Sequence, residues 1–415
     1  MTGELIAGHT ICSSDFLNEM LIKYLGEIPC NGADSFSPVP VAVERREILR
    51  MEQLCRILNK ALTGIVNAYF EDERIRAIYN FDEELNRILQ MAQALPYEVG
   101  MYRPDFLQAE DGGIKICEIG ARYPINGWMI SYYLNIITEA GTKGQLPSLE
   151  AVPAQQDFIA SIFDQFSSST PIVLVHDREK GTEVFYLLDE LGKQGLDYLS
   201  ASPSQLTHQN GIVMLNGRPV SQFIFEMDRE ELRNFDPEVL KLIINQGNYF
   251  NDVRTLILVH DKRILAVLYD EAMMSDHLSE EEYRFLRSFL IPTYDLHSAE
   301  KRAEVSHSPL NWVLKRNSGG RGIDMFVKND CDAGVWTAII DNQWPEYMVQ
   351  QYVPQRWFKY GSGSEQTMIN LVGMLLCYNG HSFGPGLFRG SAEHVVNVHQ
   401  GRGVIFPAMM SESSV

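Results

Sequence analysis

The stretch YRPDFLQAEDGGIKICEIGARYPINGW (Tyr102 to Trp128) contains two apolar runs separated by the turn EDGG. This pattern predicts two adjacent strands of one hairpin, with Asp105 on the first strand and Glu118 on the second. Two carboxylates that face each other across a hairpin are suited to Mg²⁺, which prefers hard oxygen ligands. The alternative is an exposed acidic pair at a sheet edge. Because Glu118 lies within the apolar run IKICEI, where an unpaired charge is costly, we favour the metal site.

A second stretch, LKRNSGGRGIDMF (Leu314 to Phe326), places a lysine before a cluster of glycines. A strand is predicted to end near Lys315, and the chain then turns through Gly319, Gly320 and Gly322. Backbone N–H groups in such a loop can lie over phosphates while the lysine contacts them. A P-loop has the opposite order, with its lysine after the glycines. The alternative is a solvated hairpin with a surface lysine.

Two further stretches border the same kind of site. YMVQQYVP (Tyr347 to Pro354) reads as a strand, which is either simply buried or has a backbone that meets the edge of an adenine ring. In GPGLFRGSAEHVVNV, Arg389 lies between glycines and apolar runs, and could stabilise charge on a phosphoryl or acyl-phosphate group. The alternative for Arg389 is an ion pair with Glu393. Lys262 follows an apolar run and opens a helix, so by itself it reads as a surface lysine.

Composition restricts the class of protein. The 415 residues carry a formal charge of −19, which repels nucleic acid and anionic lipid surfaces. No stretch approaches 18 uninterrupted apolar residues, and the first twenty residues lack a signal-peptide core, so neither a membrane span nor secretion is expected. The six cysteines are scattered without a CxxC pair, which argues against structural zinc and fits a reducing cytoplasm.

The order of elements predicts an α/β fold. Residues 41–95 read as helical, and PIVLVHDREKG with its sequel reads as a βαβ unit. Residues 211–227 read as a hairpin with an Asn-Gly turn, and residues 236–290 again as helical. From residue 311 onward the chain is strand-rich, which predicts one antiparallel sheet that carries the glycine loop. A Ser-rich stretch near 147–170 is a candidate boundary.

Taken in order, these stretches resemble the circularly permuted ATP-grasp ligases, the group that contains glutathionylspermidine synthetase and the eukaryotic type of glutathione synthetase. An R-x-D…K-x-x-E hairpin comes early, followed by a small α/β domain, a helix with a lysine, a strand lysine with a glycine loop, a hinge strand and a late G-x-x-R. The first of these motifs consists of Arg103, Asp105, Lys115 and Glu118. In an unpermuted ATP-grasp protein the carboxylates come last, so their early place decides between the two orders. The resemblance covers most of residues 95–407.

The resemblance implies an ATP-grasp fold, circularly permuted, with the nucleotide between two sheet-containing subdomains. Residues 1–150 would supply a helical region and the metal hairpin, 151–250 a small α/β domain, and 251–415 the nucleotide-binding lid and core sheet. ATP and Mg²⁺ are the implied cofactors, and the implied reaction joins a carboxylate to an amine through an acyl phosphate. Asp105 and Glu118 would bind the metal, and Arg103 and Arg389 would be catalytic. The implied nucleotide-binding residues are Lys262, Lys315, Gly319, Gly320, Gly322, Gln350, Gln351, Tyr352 and Val353.

One position departs from the pattern of the family. Such sites usually contain Glu-x-Asn, whereas this chain has Gly120 two residues after Glu118, with Asn126 nearby as a substitute. Two alternatives therefore stay open, a ligase that loads an amino acid onto the thiol of a carrier protein and a nucleotide-binding protein without catalysis. The acceptor pocket is expected to involve the N-terminal helices and residues 121–128, where Arg122 is either a ligand for a substrate carboxylate or part of a salt bridge. The expected partners are small molecules, and related ligases are often homodimers.

Overall fold

The structure is a computed structural model that describes residues 4–5, 10–28, 32, 35–142, 148–178, 183–320, 322–361, 366–393, 396, 398 and 403–412. The α-helices among these residues are α1 (Ser14–Leu25), α2 (Arg45–Ala68), α3 (Glu73–Tyr79), α4 (Glu83–Ala92), α5 (Trp128–Thr142), α6 (Phe158–Phe163), α7 (Glu183–Lys193), α8 (Pro237–Gln246), α9 (Ile264–Tyr269), α10 (Glu271–Met274), α11 (Glu280–Arg287), α12 (Ala299–His307) and α13 (Ala333–Ala338). In the part of the chain that is described, no helix is both long enough and apolar enough to cross a membrane.

The strands in the first half of the chain are β1 (Glu4–Leu5), β2 (Val41–Glu44), β3 (Met101–Gln108), β4 (Ile114–Gly120), β5 (Leu149–Glu150), β6 (Ile172–Val175), β7 (Tyr198–Ala201), β8 (Leu206–Gln209) and β9 (Ile212–Leu215). Those in the second half are β10 (Arg218–Pro219), β11 (Gln222–Phe225), β12 (Tyr249–Phe250), β13 (Thr293–Asp295), β14 (Trp312–Arg316), β15 (Met325–Val327), β16 (Tyr347–Gln351), β17 (Trp357–Tyr360), β18 (Thr367–Tyr378), β19 (His381–Ser391), β20 (Val404–Phe406) and β21 (Ala408–Ser411). The fold is therefore of the mixed α/β class, as predicted.

The largest sheet joins the early hairpin to the end of the chain. Its order is β20-β19-β18-β3-β4, with β17 also paired to β18, and the pairs are antiparallel. We call it the central sheet. Helix α2 packs against β19, so one face of the sheet is covered by the N-terminal helices. The other face is left for α5 and for the cleft described below.

A second antiparallel sheet has the order β13-β16-β14-β15. We call it the nucleotide sheet, after the role that the resemblance implies for it. The prediction of one antiparallel sheet in the final third of the chain is therefore wrong, because the strands of that segment divide among three sheets: the central sheet, the nucleotide sheet and a small sheet in which β21 pairs with β2 and β5. Strands β18 and β19 form a hairpin at Asn379-Gly380, and β18 then pairs with β3 rather than with β14 or β16. Alternation of side chains along a strand does not indicate which strand lies beside it.

The small α/β unit follows the prediction closely. Strands β6 and β7 are parallel and are connected through α7, and β11 and β12 extend the same sheet. The hairpin predicted over residues 211–227 is confirmed only around its turn. Asn216 and Gly217 both have positive φ, as a type I′ turn requires, and β9 pairs with β10. Strand β11 does not belong to this hairpin, because it pairs in parallel with β6. The division of the chain near residues 150 and 250 stays a prediction.

The start of the N-terminal helical region differs from the prediction. Val41–Glu44 forms strand β2, which pairs in parallel with β21 near the other end of the chain. Helix α2 begins only at Arg45, and its buried apolar residues recur at helical spacing from Ile48 to Val66. The apolar run of residues 41–44 is compatible with a helix or a strand. It forms a strand because it pairs with β21, which lies nearly 370 residues later in the chain. The predicted late strand HVVNV is absent at the described residues Val396 and Val398, and Asn397 lies outside the described residues.

Candidate active site

A cleft of about 270 Å³ lies between the central sheet and the nucleotide sheet. All the predicted site residues except Lys262 and Gly319 line it. Those two are joined to each other, because Lys262 Nζ donates a hydrogen bond of 2.7 Å to the carbonyl oxygen of Gly319. The folded chain thus brings residues of its first and last thirds into one place. This mixed α/β fold, with its cleft between two sheets, is the arrangement that the resemblance to ATP-grasp ligases implies.

The two predicted metal ligands are direct neighbours. Asp105 on β3 pairs with Glu118 on β4 in the register of the hairpin, so both side chains project to the same face of the central sheet. Asp105 is only 5% exposed and accepts hydrogen bonds from Arg103 Nε at 2.8 Å and from Arg389 Nη2 at 2.6 Å. Arg389 therefore has Asp105 as its ion-pair partner, which differs from the Glu393 alternative.

Glu118 forms an ion pair with Lys262, which lies just before α9. Its Oε1 lies 3.3 Å from Lys262 Nζ. Burial alone raises the pKa of this carboxyl, but Lys262, Lys315 and Arg103 together outweigh burial and lower the pKa below its usual range. Glu118 is consequently ionised at neutral pH, as a metal ligand has to be.

The ammonium group of Lys315 donates two hydrogen bonds. Its Nζ donates to the carbonyl oxygen of Cys117 at 2.9 Å and to Oε1 of Gln350 at 2.7 Å. Burial lowers the pKa of Lys315. Lys315 belongs to the nucleotide sheet and Cys117 to β4. The hydrogen bond between them therefore connects the two walls of the cleft next to Glu118.

The glycine loop connects β14 to β15, as predicted, and we call residues 317–324 the lid. Gly319 has φ of 96° and Gly322 has φ of 66°, a region that side chains of L-residues rarely adopt. The backbone N–H of Lys262 donates to the carbonyl oxygen of Asn317, and Lys262 Nζ donates to Gly319. Arg321 lies outside the described residues. The lid is therefore anchored to the segment that precedes α9.

The hinge strand β16 forms the inner edge of the cleft. Gln350, Gln351, Tyr352 and Val353 border it, beside an apolar wall that includes Val313 and Val327. The N–H groups of Gln351 and Tyr352 donate to the carbonyl oxygens of Pro292 and Asn311. These two N–H groups are already used, so Val353 is the hinge residue best placed to offer its backbone to a ligand.

The side chains fit a magnesium ion only in part. Asp105 and Glu118 supply two adjacent carboxylates. Gly120 supplies no ligand, and a Cβ atom there would lie 3.2 Å from Nη2 of Arg103, so the guanidinium fills the space in front of this glycine. Asn126 lines the cleft nearby. Among the described residues no group of three or more His, Cys, Asp or Glu side chains is arranged to hold a metal. A metal here would thus need oxygens from its substrate as well.

Several residues of the cleft were not predicted as site residues. His260 lies two positions before Lys262, and its Nδ1 accepts a hydrogen bond from the Ala121 N–H at 3.3 Å. Glu183 accepts from the N–H groups of Gly127 at 2.6 Å and Ile130 at 3.1 Å, so it caps the start of α5. Arg122 pairs with Asp228, in agreement with the salt-bridge alternative. A buried Glu at the start of a helix is a weak sequence signal, and nothing local indicates that Glu183 faces residue 127.

Comparisons with known proteins give one relative of nearly full length. The family described as the AnkG N-terminal domain matches residues 54–258. A protein described as the ATP-grasp enzyme ankG, from Aspergillus thermomutatus, is 23% identical over 93% of this chain and 92% of its own length. A crystal structure of a RimK domain ATP-grasp protein from Sphaerobacter thermophilus DSM 20745 is 14% identical and covers 59% of this chain and 92% of that one. Its TM-score of 0.27 is too low to support an argument. The chain is thus similar to an ATP-grasp enzyme along nearly its whole length.

Proposed function

We propose that this protein is an ATP- and Mg²⁺-dependent ligase that joins a carboxylate to an amine through an acyl phosphate and releases ADP and phosphate. One observation carries the proposal. Asp105 and Glu118, from the early hairpin, share a cleft with Lys315 and Arg389, from the last third of the chain. The similarity to an ATP-grasp enzyme supports the use of ATP. The early position of the carboxylates supports the circularly permuted order.

The apolar and basic residues at the nucleotide end of the cleft support the binding of ATP. An apolar wall beside the hinge suits an adenine ring, and the lid lies above the lysines that would meet the phosphates. Lys315 and Lys262 would exchange their present partners, Gln350 and Gly319, for phosphate oxygens. Closure of the lid would exclude water, which matters because acyl phosphates hydrolyse readily.

The metal end of the cleft fits the transfer step. Asp105 and Glu118 would hold Mg²⁺, which neutralises phosphate charge during phosphoryl transfer. Arg103 and Arg389 flank Asp105 on either side, so a carboxylate substrate bound there would meet two guanidinium groups. After the amine attacks the acyl phosphate, Arg389 would stabilise the oxyanion of the tetrahedral intermediate. This role requires Arg389 to release its contact with Asp105.

The proposal extends to the location of the enzyme and to its partners. We place the enzyme in the cytoplasm with small-molecule substrates, and a homodimer is compatible with this activity. A carrier-protein thiol as the acceptor is the alternative within ligases. A nucleotide-binding protein without turnover is the alternative outside them, and Gly120 is the observation that keeps it open.

The test is a coupled assay of ADP release with Mg·ATP and a panel of amino acids and amines. ADP that depends on the added substrate is expected from the wild-type protein. Asp105→Asn and Glu118→Gln are each expected to lower kcat by about 100-fold or more, because each removes a charge that acts on the transferred group.

Glu110→Gln is the matched control, because Glu110 is an exposed carboxylate at the turn of the same hairpin. It is expected to keep wild-type activity. Nucleotide binding without ADP release from any substrate would favour the non-catalytic alternative. Full Mg²⁺-dependent activity in both cleft variants would refute the metal assignment.

A further inference from the structure

The cleft-lining face of the central sheet has a charged end. Asp105 pairs directly with Glu118 on one neighbouring strand and with Met374 on the other. Directly paired residues project to the same face of a sheet. The row Glu118–Asp105–Met374 therefore runs across β4, β3 and β18 and changes from carboxylate to thioether within three strands.

The same face has an apolar end around Arg389. Val372 on β18 and Ile405 on β20 both pair with Arg389, and Leu387 lies two positions before Arg389 on β19. These side chains share the face of Arg389, with its guanidinium leaning toward Asp105. Across the cleft from them, Ile130 on α5 lines the same space.

We define the apolar patch as Ile130, Val372, Met374, Leu387 and Ile405. All five line the cleft, and all are at most 8% exposed. They belong to the core and yet border a cavity, so a ligand group placed against them meets methyl and methylene groups. No side chain of the patch is polar, so none could replace the water molecules that hydrate a charged group. Burying a charged group against the patch would therefore be costly.

The position of the patch identifies which ligand meets it. The nucleotide sheet adjoins the β4 side of the central sheet, because Lys315 bonds to Cys117 and Ile116 forms a bridge with Leu290. The strand residues of the patch lie on β18, β19 and β20, on the other side of Asp105, and Ile130 is contributed by α5. The order across the sheet is thus nucleotide, carboxylates and patch, with Arg389 between Val372 and Ile405.

We propose that the substrate that reacts beside Arg389 carries an uncharged apolar side group, aliphatic or aromatic, which rests on this patch. The inference rests on the proposed ligase activity where it calls the bound compound a substrate. Binding of an apolar group to the patch does not itself require catalysis. An amino acid or related compound with an apolar side chain is the class that fits. Glu183 also borders this part of the cleft, but its carboxylate oxygens already accept from two backbone N–H groups.

The experiment compares L-leucine and L-phenylalanine with L-aspartate, L-glutamine and L-lysine in the ADP-release assay. The apolar members are expected to give at least about 10-fold higher kcat/KM, the scale on which apolar pockets discriminate. Val372→Thr keeps the shape of the side chain and adds a hydroxyl group. We expect it to raise KM for the apolar substrate by about 10-fold while KM for ATP stays unchanged.

Val313→Thr is the matched control, because Val313 has the same 8% exposure as Val372 and lines the nucleotide end of the same cleft. It is expected to raise KM for ATP and leave KM for the apolar substrate unchanged. Ile405→Val is a milder second variant that removes one methylene and is expected to shift preference toward L-phenylalanine over L-leucine.

A second measurement separates this inference from the ligase proposal. The panel is tested for its effect on Tm in the presence of Mg²⁺ and a non-hydrolysable ATP analogue. If the apolar members raise Tm in the wild type but not in Val372→Thr, while no member gives turnover, the patch stands and the ligase proposal fails. Preferential turnover or binding of aspartate, glutamine or lysine would overturn the patch assignment, as would the absence of any effect of apolar compounds in both assays.

Discussion

The two carboxylates proposed to bind the metal have partners of opposite charge. Asp105 lies between two guanidinium groups, and Glu118 lies beside Lys262. An ion as buried as Asp105 is costly unless it is paired, so its neighbours hold it in place. Removal of one member leaves the other charged and buried. Variants at these positions therefore need a stability measurement beside the assay of activity.

His260 is the residue whose charge is most affected by this environment. Its Nδ1 accepts from the Ala121 N–H, which places the proton of the neutral ring on Nε2. Burial, followed by the charges of Arg122 and Lys262, lowers the pKa of His260 well below 6.5; Arg229 acts in the same direction, and Asp228 opposes it. The ring is therefore neutral in the folded protein at neutral pH.

We expect His260 to reduce folding stability in mild acid. As pH falls through about 6.5 the unfolded chain takes up a proton at this residue while the folded chain does not, so stability is lost from there downward to the folded pKa. The slope is at most about 1.4 kcal/mol per pH unit. Urea unfolding of wild type and His260→Gln at pH 7.5, 6.5 and 5.5 measures it. Parallel pH dependences for the two proteins would mean that the pKa of His260 is the same in the folded and unfolded chains.

At the scale of elements, the lid depends on its backbone rather than on its side chains. Gly319 has positive φ, and a Cβ atom there would meet no atom within 4 Å, so a side chain would strain the backbone without a clash. The carbonyl oxygen of Gly319 accepts a hydrogen bond from the side chain of Lys262. A change in backbone angle at Gly319 therefore moves the lid relative to the lysine and the carboxylates.

Gly319→Ala is expected to raise KM for ATP by about 10-fold, because an alanine at this φ costs roughly 1–2 kcal/mol and favours another loop geometry. Steady-state kinetics with varied ATP measures the effect. Gly192→Ala is the control: a Cβ atom there also meets nothing, but Gly192 lies within helix α7, where alanine is favoured. An unchanged KM in Gly319→Ala would show that the lid does not contact the nucleotide.

At the scale of the whole molecule, the site exists only because distant strands pair. Strand β3 pairs with β18, so Asp105 and Arg389 meet although 284 residues separate them. The nucleotide sheet then adds Lys315 from the opposite side. Any ligand that contacts both walls of the cleft should stabilise the entire fold against unfolding.

Mg²⁺ with a non-hydrolysable ATP analogue is expected to stabilise the protein by about 2.7 kcal/mol when its concentration is 100 times Kd. The increase in Tm should be lost in Lys315→Met, which removes the ammonium group next to the carboxylates. Lys359→Met, on the exposed edge of β17, should keep the full increase. An equal increase in Lys315→Met and wild type would place the nucleotide elsewhere.

Local patterns predicted much of the site because its parts are local. The turn EDGG and the flanking apolar runs place Asp105 opposite Glu118 without reference to the rest of the chain. The glycines after Lys315 likewise indicate a loop between two strands. The apolar patch was not predicted, because Val372, Leu387 and Ile405 look like ordinary strand residues until β20 is placed beside β19.

The amino-acid sequence by itself determined most of the helices, the hairpin of Asp105 and Glu118, the βαβ unit and the charged residues that each of them carries. Short-range rules of periodicity, capping and turn chemistry act within one element and can be read from its letters. Only the tertiary structure decided that the strands of the last third divide among three sheets, that Arg389 meets Asp105 and that apolar residues surround Arg389. The physical reason is that the choice of neighbouring strand depends on burial summed over the whole chain, and no single segment contains that sum.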